Sequence, residues 1–294
     1  MKAARYYAPG DLRIEEVPDP VPRKGDVLVQ IEVALTDGTD LKAFRHGHPV
    51  LLSELPSPFG HEFCGFDVAT GKRVVAANSA PGSPLLNGAY AELLVVPEAI
   101  ARVNLHPVPR TLASEVAALV EPLACALHAT EKVEASQTVA VLGPGPMGLL
   151  LCACLKDAGA NVVVAGGTRE RRELAHEFGA AEGDAREADV VIDATGKPKG
   201  WRDAVSLVRR GGTVLFFSGI TGGLELDAQR IHYDELTLRG VFHHTPQTVR
   251  AALAFLSSGA YPWEALLTHE ISLDALPAFF ADPPAGYLKA IVRP

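Results

Sequence analysis

Three glycines in the run Gly143-Pro-Gly145-Pro-Met-Gly148, directly after the apolar stretch 138–142, form the clearest chemistry-bearing pattern in the chain. A strand that breaks into such a turn and restarts as a helix makes a cradle for phosphate. Gly143 permits the tight turn, Gly145 lets the backbone approach a pyrophosphate, and Gly148 lets the helix pack closely on the strand. The helix N-terminus adds free N–H groups and a partial positive charge. Pro146 suits the first helical turn and Leu149 to Lys156 supply an apolar face, so the context predicts a dinucleotide held by Gly143, Gly145, Pro146, Met147 and Gly148.

The elements that must position this site follow a simple order. Residues 1 to about 110 carry short alternating or apolar runs broken by Pro and Gly, such as Val27-Leu-Val-Gln-Ile-Glu-Val and Arg73-Val-Val-Ala-Ala, which predicts a β-rich unit. From Leu112 the pattern turns helical through Thr130, and strands and helices then alternate at the spacing of a parallel sheet. Strands are predicted over 138–142, 161–165, 189–194, 213–218 and 236–241, with helices over 168–178 and 198–209 between them. A helix ending near Ser258 and a last strand over 289–292 close the chain. In open α/β sheets ligands sit at the carboxyl ends of strands, so Ala194, Thr195, Gly196, Ser218 and Gly219 are expected around a nicotinamide, with Phe242, His243 and His244 following the last strand of that sheet.

With 294 residues the chain has room for two domains. The net charge of −8, with basic residues scattered, argues against non-specific nucleic-acid binding. The four cysteines, Cys64, Cys125, Cys152 and Cys154, contain no CxxC pair and read as reduced, mostly buried thiols. There is no apolar signal region and no segment approaching a membrane span, so a cytoplasmic location is expected. No internal repeat is seen.

Taken in order, Asp37-Gly-Thr-Asp40-Leu-Lys, Gly60-His-Glu-Phe-Cys-Gly65, Gly88-Ala-Tyr-Ala-Glu-Leu, Glu121-Pro-Leu-Ala-Cys-Ala-Leu-His128-Ala, the glycine turn, Asp193-Ala-Thr-Gly196, Gly211-Gly-Thr-Val and Leu288-Lys-Ala-Ile-Val-Arg-Pro span nearly the whole sequence. Together they resemble the medium-chain dehydrogenase/reductase superfamily, the zinc-type alcohol, polyol and sugar dehydrogenases. The resemblance implies an α/β protein with a GroES-like β-rich catalytic domain from both chain ends (1–120 and 262–294) and a Rossmann doubly wound parallel-sheet domain between them (121–261). It also implies an active site in the cleft between the domains. Members are commonly dimers or tetramers.

Two departures from the family pattern matter. Zinc-binding members usually carry Cys where this chain has Asp37, and the four-cysteine structural zinc lobe has no counterpart in residues 75–87, so no structural zinc is expected. The family pattern carries the catalytic metal ligands onto Asp37, His61, Glu62 and Glu121, one of Glu62 and Glu121 ligating directly while the other holds a second position or acts through water. Replacing thiolate by carboxylate keeps the formal charge of the donor set, although oxygen favours zinc less exclusively over other divalent ions. Against this stands a metal-free reading, with His61 hydrogen-bonded in a loop and Glu121 an ordinary helix residue. Zinc-free relatives generally lose the Glu-Pro and His-Glu elements as well, and both are retained here.

The implied chemistry is metal-assisted hydride transfer between an alcohol, polyol or sugar and NAD(P), with Thr39 matching the family's hydroxyl relay and His46 or His48 as an outlet for the proton. Aligning Arg172-Glu-Leu-Ala with the family's helix puts Gly166 where NAD enzymes carry a ribose-binding acid. Thr168, Arg169 and one of Arg171 and Arg172 then stand ready for a 2′-phosphate, so NADP is expected, with NAD as the alternative. Two rival functions share much of this pattern: a metal-free NADPH-dependent enone or quinone reductase, and a dinucleotide-binding protein without turnover.

Overall fold

The computed structural model describes residues 1–48, 52 and 54–294; part of the Arg45 to Pro58 loop, expected to shape the substrate pocket, therefore lies outside the described residues. The chain opens with β1 (Lys2–Ala8), β2 (Asp11–Glu16), β3 (Val27–Leu35), α1 (Gly38–His46), β4 (Ser57–Pro58), β5 (Glu62–Asp67), β6 (Arg73–Ala76) and β7 (Leu93–Val96). It continues through α2 (Glu98–Asn104), β8 (Leu105–Pro107), α3 (Ser114–Ala117) and α4 (Val120–Thr130). The alternating part is β9 (Thr138–Leu142), α5 (Pro146–Asp157), β10 (Asn161–Ala165), α6 (Arg169–Glu177), β11 (Ala188–Asp193), α7 (Pro198–Leu207), β12 (Val208–Phe216), α8 (Ala228–Tyr233) and β13 (Thr237–Gly240). Last come α9 (Pro246–Ser257), β14 (Leu267–Ser272), α10 (Leu276–Ala281) and β15 (Lys289–Arg293).

Two compact units result, Met1–Glu121 with Thr245–Pro294, and Pro122–His244. Residues 245–261, expected with the nucleotide unit, group instead with the first. The reason is packing: α9 lies against α2 and α3. Its start is fixed by a reciprocal capping box, in which Thr245 and Thr248 each accept from the other's backbone, and by Pro246 in the first turn.

In the first unit, β3 is the organising strand. It pairs antiparallel with β5, with Leu35 opposite Glu62, and antiparallel with β15, with Ile291 opposite Leu35. The sheet runs β14-β15-β3-β5-β6-β8, β7 also pairing with β3, and a smaller sheet runs β2-β1-β4. Between them sits an aromatic core in which Tyr6, Phe59, Tyr90 and Phe280 are each at most 2% exposed.

The second unit holds a five-stranded parallel sheet in the order β10-β9-β11-β12-β13. Its inner strands β9 and β11 are buried on both faces, as a sheet covered by helices requires. Residues 148–155 of α5 are all buried. Strand ends differ from expectation by a few residues, β12 most: it begins at Val208, because Arg209 and Arg210 continue extended before Gly211. The helical stretch from Leu112 to Thr130 is two helices, broken at 118–119.

Candidate metal and dinucleotide sites

The strand register brings distant residues together. Asp37 follows the end of β3 and caps α1, its carboxylate accepting from the Thr39 amide at 3.2 Å. Glu62 opens β5 on one side of β3, with His61 just before it, and Lys289 opens β15 on the other. One ligand atom from each of Asp37, His61 and Glu62 can be chosen so that all three lie within 4.8 Å of one another. Glu121 is outside that group, yet it is only 5% exposed and its charge acts on both His61 and Glu62.

His61 is held by carboxylates at both nitrogens. Nδ1 lies 3.1 Å from Asp40 Oδ1, and Nε2 lies 3.4 Å from Asp37 Oδ2. Burial acts to lower its pKa, but the charge of Asp40 and the hydrogen bonds with Asp37 and Asp40 outweigh it, holding His61 well above the usual imidazole range. Burial would likewise raise the Asp37 carboxyl, yet the His61 hydrogen bond and the Lys289 charge hold it well below the usual carboxylate range. Both groups are therefore charged in the absence of a cation. A divalent ion here would displace the Nε2 proton.

Lys289 is the residue that sequence reasoning missed. Fully buried, it donates to both oxygens of Glu62, at 2.7 and 2.6 Å, and to the Thr36 carbonyl at 3.1 Å. Burial lowers its pKa, but the charges of Glu62 and Asp37 prevail and raise it, so the ammonium persists. Thr36 is itself fixed: its hydroxyl accepts from the Ala290 amide at 2.7 Å and from the Tyr287 hydroxyl at 2.6 Å. A buried lysine needs an opposite charge, and which carboxylate supplies it is set by the pairing of β15 with β3.

Two carboxylates and an imidazole, buried and converging, fit a divalent cation of zinc type. Glu62 would meet that ion while still engaged by Lys289. Thr39 stands in the first turn of α1, two residues beyond Asp37, and His46 in its last turn. The pKa of His48 is lowered by burial and then by the charge of His61.

In the second unit the glycine turn has the geometry its spacing requires. Gly143 has φ +91°, and a side chain there would strike Thr195. At Gly148 an added Cβ would lie 2.2 Å from the Gly143 carbonyl oxygen, whereas at Gly145 the nearest atom would be Arg171 Nη1 at 3.9 Å. Gly145 thus faces open space at the N-terminus of α5, with Pro146 and Met147 starting the helix. The Gly166-Gly167 loop adjoins this turn, since a Cβ at Gly167 would lie 2.6 Å from Pro144. Thr168 caps α6 by accepting from the Arg171 amide. Arg169 pairs with Glu173 at 2.7 Å, and Arg172 donates to the Gly167 carbonyl at 2.8 Å.

At the end of β11, Asp193 is fully buried and accepts from the Thr195 amide and hydroxyl and the Gly196 amide, fixing the Ala194-Thr195-Gly196 turn. Ser218 donates its amide to the Asp193 carbonyl, which sets it beside that turn; Gly219 comes next in the chain. Phe242 is 72% exposed and stacks on His243, whose carbonyl lies 2.7 Å from His128 Nδ1.

Comparison with known proteins decides the family. Residues 146–258 match the zinc-binding dehydrogenase family. The chain is 30% identical to (R,R)-butanediol dehydrogenase of Bacillus subtilis (strain 168), over 94% of this chain and 94% of that protein. It belongs to the zinc-type medium-chain dehydrogenases. This dehydrogenase is also 29% identical to L-galactonate-5-dehydrogenase of Escherichia coli (strain K12), over 85% of each protein. Its fold superposes on the crystal structure of 2R,3R-butanediol dehydrogenase from Bacillus subtilis with a TM-score of 0.86 at 28% identity, covering 100% of this chain and 99% of the other. A zinc-binding dehydrogenase from Sinorhizobium meliloti 1021, solved bound to NADP, gives a TM-score of 0.88 at 28% identity, covering 100% and 99%. The chain is thus an oxidoreductase with the expected α/β fold and an NAD(P)-binding Rossmann sheet. No helix among its described residues is long and apolar enough to cross a membrane.

Proposed function

We propose that this dehydrogenase oxidises a secondary alcohol or polyol, with NADP as the preferred hydride acceptor and a divalent cation held by Asp37, His61 and Glu62. The observation that carries the reading is the convergence of those three side chains, with donor atoms within 4.8 Å of one another, His61 and Glu62 buried and Asp37 partly so. A bound cation supplies Lewis acidity that eases loss of a hydroxyl proton, and the dinucleotide supplies the hydride acceptor. Asp37 and His61 orient that centre, and Asp40 fixes the imidazole so that Nε2 points inward. Glu121 adds negative charge at the edge of the site. Thr39 is placed to take the hydroxyl proton, and His48 or His46 to pass it outward.

The preference for NADP rests on what stands after β10. Gly166 leaves no carboxylate to repel a 2′-phosphate or to bind ribose hydroxyls. We assign the phosphate contact to Arg171, whose guanidinium approaches Gly145 of the phosphate turn, together with the cap residue Thr168.

The test is a panel of secondary alcohols, polyols and aldoses with zinc-reloaded protein, read as NADPH and NADH formation. Asp37→Ala should lose both metal retention and alcohol oxidation, and Arg171→Ala should lower kcat/KM for NADP while leaving that for NAD. Metal-independent reduction of an enone by NADPH, undiminished in Asp37→Ala, would replace this reading with the reductase.

A further inference from the structure

Behind His61 runs a chain of buried polar contacts that ends where it begins. Asp40, 1% exposed, accepts at Oδ1 from His61 Nδ1 at 3.1 Å and at Oδ2 from the Tyr90 hydroxyl through a short hydrogen bond. Tyr90 is also 1% exposed, and its oxygen lies 3.0 Å from the Leu35 carbonyl at the end of β3. The ring is fixed by the segment that precedes His61. Tyr90 N–H donates to the Phe59 carbonyl at 3.0 Å, and Gly60, at φ +88°, leaves the space that the ring fills, since a Cβ there would lie 2.6 Å from Tyr90 Cδ2. Phe59 and Phe280 pack around it at centroid distances of 5.9 and 6.1 Å. Residues 59–61, Tyr90 and Asp40 therefore form a closed loop of contacts returning to the imidazole.

We infer that Tyr90 is a positioning residue of the metal centre, whose hydroxyl locks the rotation of Asp40 and, through it, the tautomer and direction of His61. This rests on the proposed metal role of Asp37, His61 and Glu62. The physical argument is that a carboxylate satisfied at one oxygen only can turn about its Cβ–Cγ bond, whereas one pinned at both oxygens holds its imidazole in a single orientation. Burial, followed by the Asp40 charge and hydrogen bond, keeps Tyr90 far above the usual phenol range, so it acts as a donor throughout the working pH range. The neighbouring Tyr6 provides the contrast. It stacks on the same Phe59, yet its buried hydroxyl has no hydrogen-bond partner among the described residues.

The experiment uses chelator-stripped full-length protein, with Zn²⁺ affinity read by competition against a chromophoric chelator and geometry read from the Co²⁺ absorption spectrum. Tyr90→Phe keeps the ring and removes only the hydroxyl. It should weaken Zn²⁺ about 10- to 100-fold and alter the Co²⁺ bands, the range found when outer contacts of a metal ligand are removed. Tyr6→Phe should match the wild type, and His61→Ala should abolish binding. Tyr90→Phe binding within twofold of wild type, with an unchanged Co²⁺ spectrum, overturns the inference while leaving the metal assignment standing. No uptake by the wild type overturns both. If Tyr90→Phe does not fold, wild-type protein labelled at tyrosine Cζ decides the matter: the Tyr90 resonance should shift when Zn²⁺ binds, and a resonance that does not move overturns the inference.

Discussion

Replacing Lys289 by Met isolates the charge balance of the metal site. The substitution keeps much of the aliphatic volume and deletes the ammonium that both Glu62 oxygens and the Thr36 carbonyl accept from. Glu62 is 0% exposed, so its carboxylate would be left buried without its partner, a situation that costs about 3–5 kcal/mol. The group has one escape, which is to take up a proton. From an unfolded-state pKa near 4.3, protonation at pH 7.5 costs about 4.4 kcal/mol and at pH 5.5 about 1.6 kcal/mol, which caps the penalty at each pH.

The sign follows from linkage. Burial already holds the Glu62 carboxyl well above the usual carboxylate range against the opposing charge of Lys289; removing the ammonium raises it further, so the folded variant binds the proton more tightly than the wild type and the deficit shrinks as pH falls. For a unit of about 170 residues, a loss of about 4 kcal/mol lowers Tm by roughly 8–16 °C at pH 7.5. Thermal and urea unfolding followed by circular dichroism in a chelating buffer, at the two pH values, gives both numbers. Zn²⁺ offers the carboxylate another positive partner, so saturating Zn²⁺ should raise the stability of the variant more than that of the wild type. A deficit that is the same at both pH values and unaffected by Zn²⁺ would refute the view that Lys289 neutralises a cation-binding carboxylate.

The glycine turn should separate folding from binding: Gly148→Ala drives a Cβ to 2.2 Å from a backbone oxygen and should destabilise the nucleotide unit, whereas Gly145→Ala meets nothing nearer than 3.9 Å. Gly145→Ala should therefore melt near the wild-type temperature and lose NADPH affinity in fluorescence titration; the reverse pattern would contradict the phosphate assignment. For the thiols, burial raises Cys64 and Cys152 to about 12 and pushes Cys154 up as well, leaving Cys125 as the partly exposed one of the four. At pH 8 a thiol of pKa about 12 is ionised in roughly one molecule in ten thousand, so native protein should titrate one thiol promptly with Ellman's reagent and four in urea. A second prompt thiol in the native state would show that this burial is not maintained.

What the sequence disclosed depended on how local the determining physics is. The strand and turn at 138–148 lie within a dozen residues, where apolar periodicity and glycine placement decide the backbone, and both are found where expected. Asp37, His61 and Glu62 were reachable through motif resemblance, because each sits in a short signature. Lys289 was not, although it was written in one of those signatures. Its role depends on β15 lying beside β3 in one register, with Ile291 opposite Leu35, and no local pattern specifies that pairing across 250 positions. Tyr90 and Asp40 were hidden for the same reason: each appears in a quoted motif, but their contact needs α1, the loop after β4 and the segment before β7 to converge.

The same distinction explains the arginines after β10. Sequence placed three of them, Arg169, Arg171 and Arg172, at a helix start, where a 2′-phosphate would be read, but left Arg171 and Arg172 as alternatives. They differ in position: Arg169 pairs with a helix neighbour at i+4, and Arg172 donates to carbonyls of the loop it follows. Arg171 is the one drawn toward Gly145. Because that position borders the phosphate turn, specificity for the cofactor should reside in Arg171 more than in Arg169 or Arg172.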